Sequence, residues 1–210
     1  LPSRRAVRRG VVRVGLGAFT DATAGRMPTL AVAPATLKLG DFDRDGDVDV
    51  FLTLRWNGML FLNDGTGRVV DATAGRIPTV PTPASTVTLV HDFDGDGALD
   101  LYLHSSTPIL LLNSGTGHFR HAIAQVPGLG SLTWEAAAGD VDGDGDLDLV
   151  SEGRIALNGG SANFTLAPAA NLPHAVGPSN RPTLLDVDRD GDLDLVYAGT
   201  WSDGFANDGA

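Results

Sequence analysis

GDFDRDGDVDVFLTL, residues 40–54, sets five aspartates at every second position and then turns apolar. Three further stretches repeat it: HDFDGDGALDLYLHS at 91–105, GDVDGDGDLDLVSEG at 139–153 and LDVDRDGDLDLVYAG at 185–199. Their first aspartates, Asp41, Asp92, Asp140 and Asp186, lie 51, 48 and 46 residues apart. Each stretch is followed by an Asn-Gly-rich turn, at Asn63, Asn113, Asn158 and Asn207. A second phrase recurs as well, AFTDATAGRMPT at 18–29 and RVVDATAGRIPT at 68–79. Periods of this length mark propeller blades or other repeat arrays.

Inside one unit the apolar residues alternate. Thr36-Leu37-Lys38-Leu39 does so, as does Val48-Asp49-Val50-Phe51-Leu52, and a period of two places them on strands. The Asn-Asp-Gly-Thr-Gly turn after Leu60-Phe61-Leu62 reads as a hairpin. The first unit therefore predicts four strands, near 35–40, 48–54, 59–63 and 67–72. No window carries a convincing 3.6-residue period, so the fold class is all-β with a four-stranded blade as its unit. Ala210 aligns with Thr66 and Gly17 with Gly67, the next position of the repeat. Residues 17–22 are thus expected to supply the outer strand of the last blade and close the ring. A slice of a longer array is the other reading of the same register.

Composition narrows the function classes. The 210 residues include no cysteine, which removes disulfides, thiolate zinc sites and cysteine nucleophiles. The formal charge is −11, the wrong sign for gripping nucleic acid. No apolar run is long enough to predict a membrane span. Of 26 acidic residues 24 are Asp, and 19 of those fall in the four repeated stretches. A solvated acidic surface would mix Asp with Glu and scatter both; these are organised. The N-terminal LPSRRAVRRGVVR holds five of the fifteen basic residues and reads as a basic extension, residues 1–16, ahead of the repeats at 17–210.

Each stretch has the form D-x-D-x-D-G-x-x-D. Carboxylates stand at loop positions 1, 3, 5 and 9: Asp41, Asp43, Asp45 and Asp49 in the first loop, Asp92, Asp94, Asp96 and Asp100 in the second. Asp140, Asp142, Asp144 and Asp148 form the third set, and Asp186, Asp188, Asp190 and Asp194 the fourth. Alternate side chains of a tight loop converge, and converging carboxylates repel unless a cation sits among them. An all-oxygen donor set in a flexible loop favours calcium over zinc or copper, and magnesium prefers to keep its waters. Position 7 is Asp47, Asp146 and Asp192 in three loops but Ala98 in the second. A backbone carbonyl serves at that position in loops of this kind, so Ala is compatible. About four calcium ions are expected. These are not EF-hands, because position 12 is Leu52, Leu103, Ser151 or Tyr197 rather than Glu and the flanks read as strands.

On these loops the chain resembles the FG-GAP/VCBS repeat family, whose calcium loops also occur in integrin α-subunit propellers. The resemblance covers about residues 17–210. It implies a β-propeller with calcium in the loop joining the first two strands of each blade. By the same token it implies metal ligands at all twenty loop positions named above, Ala98 included. Relatives usually close with seven blades, so four loops leave the ring size open. The resemblance further points to a secreted, periplasmic or cell-surface protein, of bacterial source.

Loops filled with their own ion serve the fold first, so a non-catalytic module that binds protein or joins an assembly is the expected function. Paired carboxylates also suggest glycosidase chemistry, but here they recur four times without a distinct acid partner. No nucleophile elbow or phosphate-binding loop is present. Trp56 and Trp201 fall in corresponding hairpins beyond the second strand, opposite the loops. Exposed aromatics there would stack on sugar rings or anchor a protein; buried ones would fill gaps between blades. A carbohydrate-binding propeller and an accessory region of a larger secreted enzyme are the alternatives, and the chain is expected to belong to a larger chain or assembly.

Overall fold

The computed structural model describes residues 12–15, 18–30, 34, 36–54, 58–79, 87–104, 108–122, 129, 136–151, 154–168, 181–198 and 203–205. Trp56, Trp201 and the Asn207 turn lie outside them. Every described regular element is a strand. The first repeat forms an antiparallel sheet of β3 (Thr36–Gly40), β4 (Asp49–Thr53), β5 (Gly58–Asn63) and β6 (Val69–Asp71), paired in that order. The second comprises β7 (Val87–His91), β8 (Asp100–His104), β9 (Ile109–Asn113) and β10 (Phe119–His121). The third comprises β11 (Ala137–Gly139), β12 (Asp148–Ser151), β13 (Arg154–Asn158) and β14 (Phe164–Leu166). Each sheet runs in sequence order from one edge to the other, as short hairpin connections dictate. The fourth sheet has three described strands, β15 (Arg181–Leu185), β16 (Asp194–Ala198) and β17 (Asp203–Phe205).

The sheets pack face to face because their strands are apolar on both sides. On β8, Leu101 and Leu103 point into a cluster with Phe42, Phe51 and Leu60 of the first repeat. Tyr102, between them, points the other way, into a cluster with Phe93, Leu149 and Phe164 that joins the second repeat to the third. Val150, Leu195 and Tyr197 join the third to the fourth. Burying each such side chain contributes about 1.5–3 kcal/mol. Position 2 of the first three Asp loops, Phe42, Phe93 and Val141, packs into the interface that follows. Phe42 is 0% exposed and meets Phe119 edge to face, with ring centroids 6.1 Å apart; Phe93 meets Phe164 likewise at 6.2 Å.

The chain start departs from expectation. β2 (Ala18–Asp21) pairs with β1 (Val12–Gly15) in a hairpin of its own, Asp21 opposite Val12. Asp71 stands opposite Phe61 in the first sheet, so β1–β2 reproduces the outer half of a repeat. β2 is thus paired with β1 and is not among the described strands of the fourth sheet, which it was expected to complete. The two strands of this hairpin lie on either side of residue 16. Leu39 is 58% exposed, although its equivalent Val90 packs against the preceding repeat; Val187, equivalent to Phe42, is 59% exposed. The first and fourth sheets thus do not cover each other as neighbouring sheets do.

The repeated DATAGR phrase has a structural task. The Arg76 carbonyl accepts a hydrogen bond from Phe119 N (2.8 Å), on the open edge of β10 in the next sheet. Its guanidinium also donates to the Thr116 carbonyl in that sheet's outer turn. Arg26 does the same one repeat earlier, accepting from Val69 N (2.8 Å) and donating to the Thr66 carbonyl (2.7 Å). Each phrase caps the outer strand of the following sheet, where unpaired backbone would otherwise invite association.

Candidate metal centres

Every Asp loop joins the first strand of a sheet to the second, and the four share a hydrogen-bond scheme that differs by one residue in the first loop. The position 1 carboxylate folds the loop over itself. Asp92 accepts from Gly95 N (2.8 Å) and Gly97 N (2.7 Å), and Asp140 from Gly143 N (2.8 Å) and Gly145 N (3.0 Å). Asp41 accepts from Asp45 N and Gly46 N, and Asp186 from Arg189 N and Gly191 N. The position 5 carboxylate accepts from the position 7 amide: Asp45 from Asp47, Asp96 from Ala98, Asp144 from Asp146 and Asp190 from Asp192.

Position 9 is the structural root of the loop. Asp49, Asp100 and Asp148 are 0% exposed and Asp194 is 2%. Asp100 accepts from Phe93 N (2.8 Å) and from Asn113 N (2.7 Å), tying loop start to outer turn. Asp49 bridges Phe42 N and Asn63 N in the same way, and Asp148 bridges Val141 N and Asn158 N. Burial pushes the Asp100 carboxyl up to about 7 and that of Asp148 up to about 6, against the opposing pull of those amides; Asp49 is raised for the same reason.

Oxygens of Asp41, Asp43 and Asp45 come within 4.8 Å of one another, as do those of Asp92, Asp94 and Asp96. In the third and fourth loops the triads are Asp140, Asp142 and Asp148, and Asp186, Asp188 and Asp194. Positions 1 and 3 thus converge in all four loops, joined by position 5 in two and position 9 in two. Position 7 side chains are in none of these triads. The Asp47 carboxylate lies instead against Gly65, where a methyl group would stand 2.8 Å from Oδ2, and Asp146 lies against Gly160 at 3.4 Å. Asp43 Oδ1 is buried without a hydrogen-bond partner among the described residues. Burial, with Asp45 and Asp41 beside it, holds the Asp43 carboxyl above its ordinary range. A hard divalent cation bound by oxygens alone answers that orphaned atom and the mutual repulsion of each triad, and calcium's six to eight oxygen ligands fit so carboxylate-rich a loop.

Sequence reasoning missed the residues that connect one loop to the next. Asn113 Nδ2 donates to the Phe42 carbonyl of the preceding loop (2.8 Å) and to the Leu99 carbonyl of its own (3.1 Å). Asn158 repeats this with Phe93 (2.9 Å) and Leu147 (3.2 Å). The recurrence of Asn in all four turns was the available signal. A second buried chain links Tyr102 Oη to His104 Nδ1 (3.2 Å) and His104 Nε2 to Ser151 Oγ (3.2 Å). All three residues are at most 1% exposed, so this Ser–His pair is closed to substrate and joins two sheets instead. His91 ends β7 and packs edge to face on Phe93 at 5.8 Å.

The four-stranded repeats and their aspartate loops define a repeat class, and the comparison with known families agrees. The FG-GAP-like repeat profile matches the chain twice, over residues 41–103 and 92–151. The chain belongs to that family. Among solved structures, a lectin from Agrocybe aegerita, described in terms of specific recognition of non-reducing terminal N-acetylglucosamine, is similar at a TM-score of 0.51 and 20% identity. The similarity covers 76% of this chain and 45% of the lectin, so this chain spans less than half the length of that structure. No curated protein matches the chain.

Proposed function

We propose that this chain is a calcium-stabilised β-propeller module, non-catalytic, that binds protein or joins an assembly outside the cytoplasm. The carrying observation is the convergence of positions 1 and 3 in all four loops, joined each time by a third carboxylate. Asp41, Asp43, Asp45 and Asp49 with their counterparts would hold the ions, with position 7 contributing through its backbone. Bound calcium would supply charge neutralisation; the chain's own residues set the loop and tie it to the outer turn. Extracellular calcium is millimolar, which suits sites binding at roughly 10⁻⁴–10⁻³ M. Equilibrium dialysis in millimolar calcium, followed by metal analysis, should find close to four ions per chain. Fewer than three would overturn the reading.

The lectin likeness favours a second reading, a glycan-binding propeller. Terminal N-acetylglucosamine is then the first ligand class to try, with Trp56 and Trp201 as the stacking candidates. Calcium-dependent retention on glycans bearing that terminus, lost in Trp56→Ala or Trp201→Ala, would select it over the protein-binding reading.

A further inference from the structure

The second loop differs from the others in its charge, and the difference has a structural cause. Arg44, at position 4 of the first loop, reaches across the sheet interface and donates through Nη2 to the Asp96 carbonyl (2.6 Å) and to Asp96 Oδ1 (3.2 Å). Its guanidinium lies flat on Gly115 of the second outer turn, where a methyl group would stand 3.1 Å from Arg44 Cζ. In the first and third repeats the matching space, over Gly65 and Gly160, is filled by Asp47 and Asp146. The second repeat has Ala98 at that position, 1% exposed, and Arg44 fills the gap from next door. Relative to its first and third counterparts the second loop has thus lost one negative charge and acquired one positive charge. Arg120 beside Asp94 has a counterpart in Arg76 beside Asp43, so Arg44 and Ala98 are what set the second loop apart from the first.

We infer that Arg44 is a resident counter-ion of the second loop, so that calcium binds Asp92, Asp94 and Asp96 more weakly than it would without the guanidinium. The inference rests on the calcium reading above. Ligand charge is the chief lever by which such loops set affinity. One positive charge about 6 Å from a divalent ion, in water-like surroundings, weakens binding roughly tenfold. Arg44 holds this place with φ +60°, in the left-handed region, as Arg189 does at the same position of the fourth loop (+69°), where the second and third loops carry Gly95 and Gly143 at +75° and +76°.

The test is a calcium titration of the full 210-residue chain, with ions per chain counted by native mass spectrometry at each free calcium concentration. Wild type is compared with Arg44→Gly, which relieves the backbone, and with Arg44→Asn, which tolerates the left-handed conformation while removing the charge. In both variants one of the four binding steps should move about tenfold to lower calcium and the others should stay. Four steps with none displaced in either variant overturns this inference and leaves the calcium reading intact. No calcium bound by any of the three proteins overturns both.

Discussion

Asn113→Ala should be among the costlier single substitutions in the chain, and its cost can be worked from the hydrogen bonds it removes. Asn113 is 3% exposed, and its amide satisfies two carbonyls, Phe42 at 2.8 Å and Leu99 at 3.1 Å. A buried acceptor left without a donor costs about 1–3 kcal/mol. Some water can reach the Leu99 side, so the sum is about 3 kcal/mol. Asn63 is the internal control. Its amide donates to Val48 alone among described partners (3.1 Å), and its side-chain oxygen meets Gly65 N and Gly67 N in an exposed turn. Water replaces those bonds, so Asn63→Ala should cost about 1 kcal/mol or less. Urea unfolding followed by circular dichroism reads the difference. With a slope of about 2 kcal/mol/M the midpoints should separate by about 1 M. Asn113→Asp, the same shape without the donor, should be no better than Asn113→Ala. If Asn63 and Asn113 variants unfold within about 0.5 kcal/mol of each other, the inter-repeat bond to Phe42 is not what holds the loops in register.

Without calcium, stability should fall as pH rises between about 4 and 7. Burial raises Asp100 to about 7 and Asp148 to about 6 in the folded chain, against about 3.9 unfolded. The contribution of such groups is fully present below the unfolded value and lost as pH climbs through the folded ones. Melting in excess EDTA at pH 5 and pH 7.5 should show the higher temperature at pH 5; millimolar calcium should shrink or reverse the gap, since the ion binds the deprotonated loop. Equal melting temperatures in EDTA would refute it. Gly58→Ala should destabilise by about 1–3 kcal/mol, because a methyl group there runs into the Phe51 ring, whose Cε2 would be 2.8 Å away; a variant as stable as wild type would show that Phe51 repacks freely.

The repeat made most of the fold legible. The strands expected near 35–40, 48–54, 59–63 and 67–72 appear as β3 to β6, because alternation and Asn-Gly turns act locally. The carboxylate triads were also foreseeable, since spacing alone brings positions 1 and 3 together. What stayed hidden acts between repeats. Nothing local says that Asn113 donates to a carbonyl 71 residues away, or that Arg44 belongs to the following loop. On spacing alone Ala98 is a neutral departure at a backbone ligand; its buried side chain beside the Arg44 strap depends on a neighbour that periodicity does not describe. The N-terminal strand misled for the same reason. Register alone aligned Gly17 with Gly67, while Val12–Gly15, inside a basic run, provided the nearer pairing edge.

The Arg26 and Arg76 straps also give the array a direction in time. Each strap precedes the turn it grips by 40 residues. On a ribosome adding about 5–20 residues per second, the acceptor carbonyl and guanidinium are synthesised roughly 2–8 seconds before their partners. The outer strands of the first and second sheets, β6 and β10, therefore emerge toward a receptor already made.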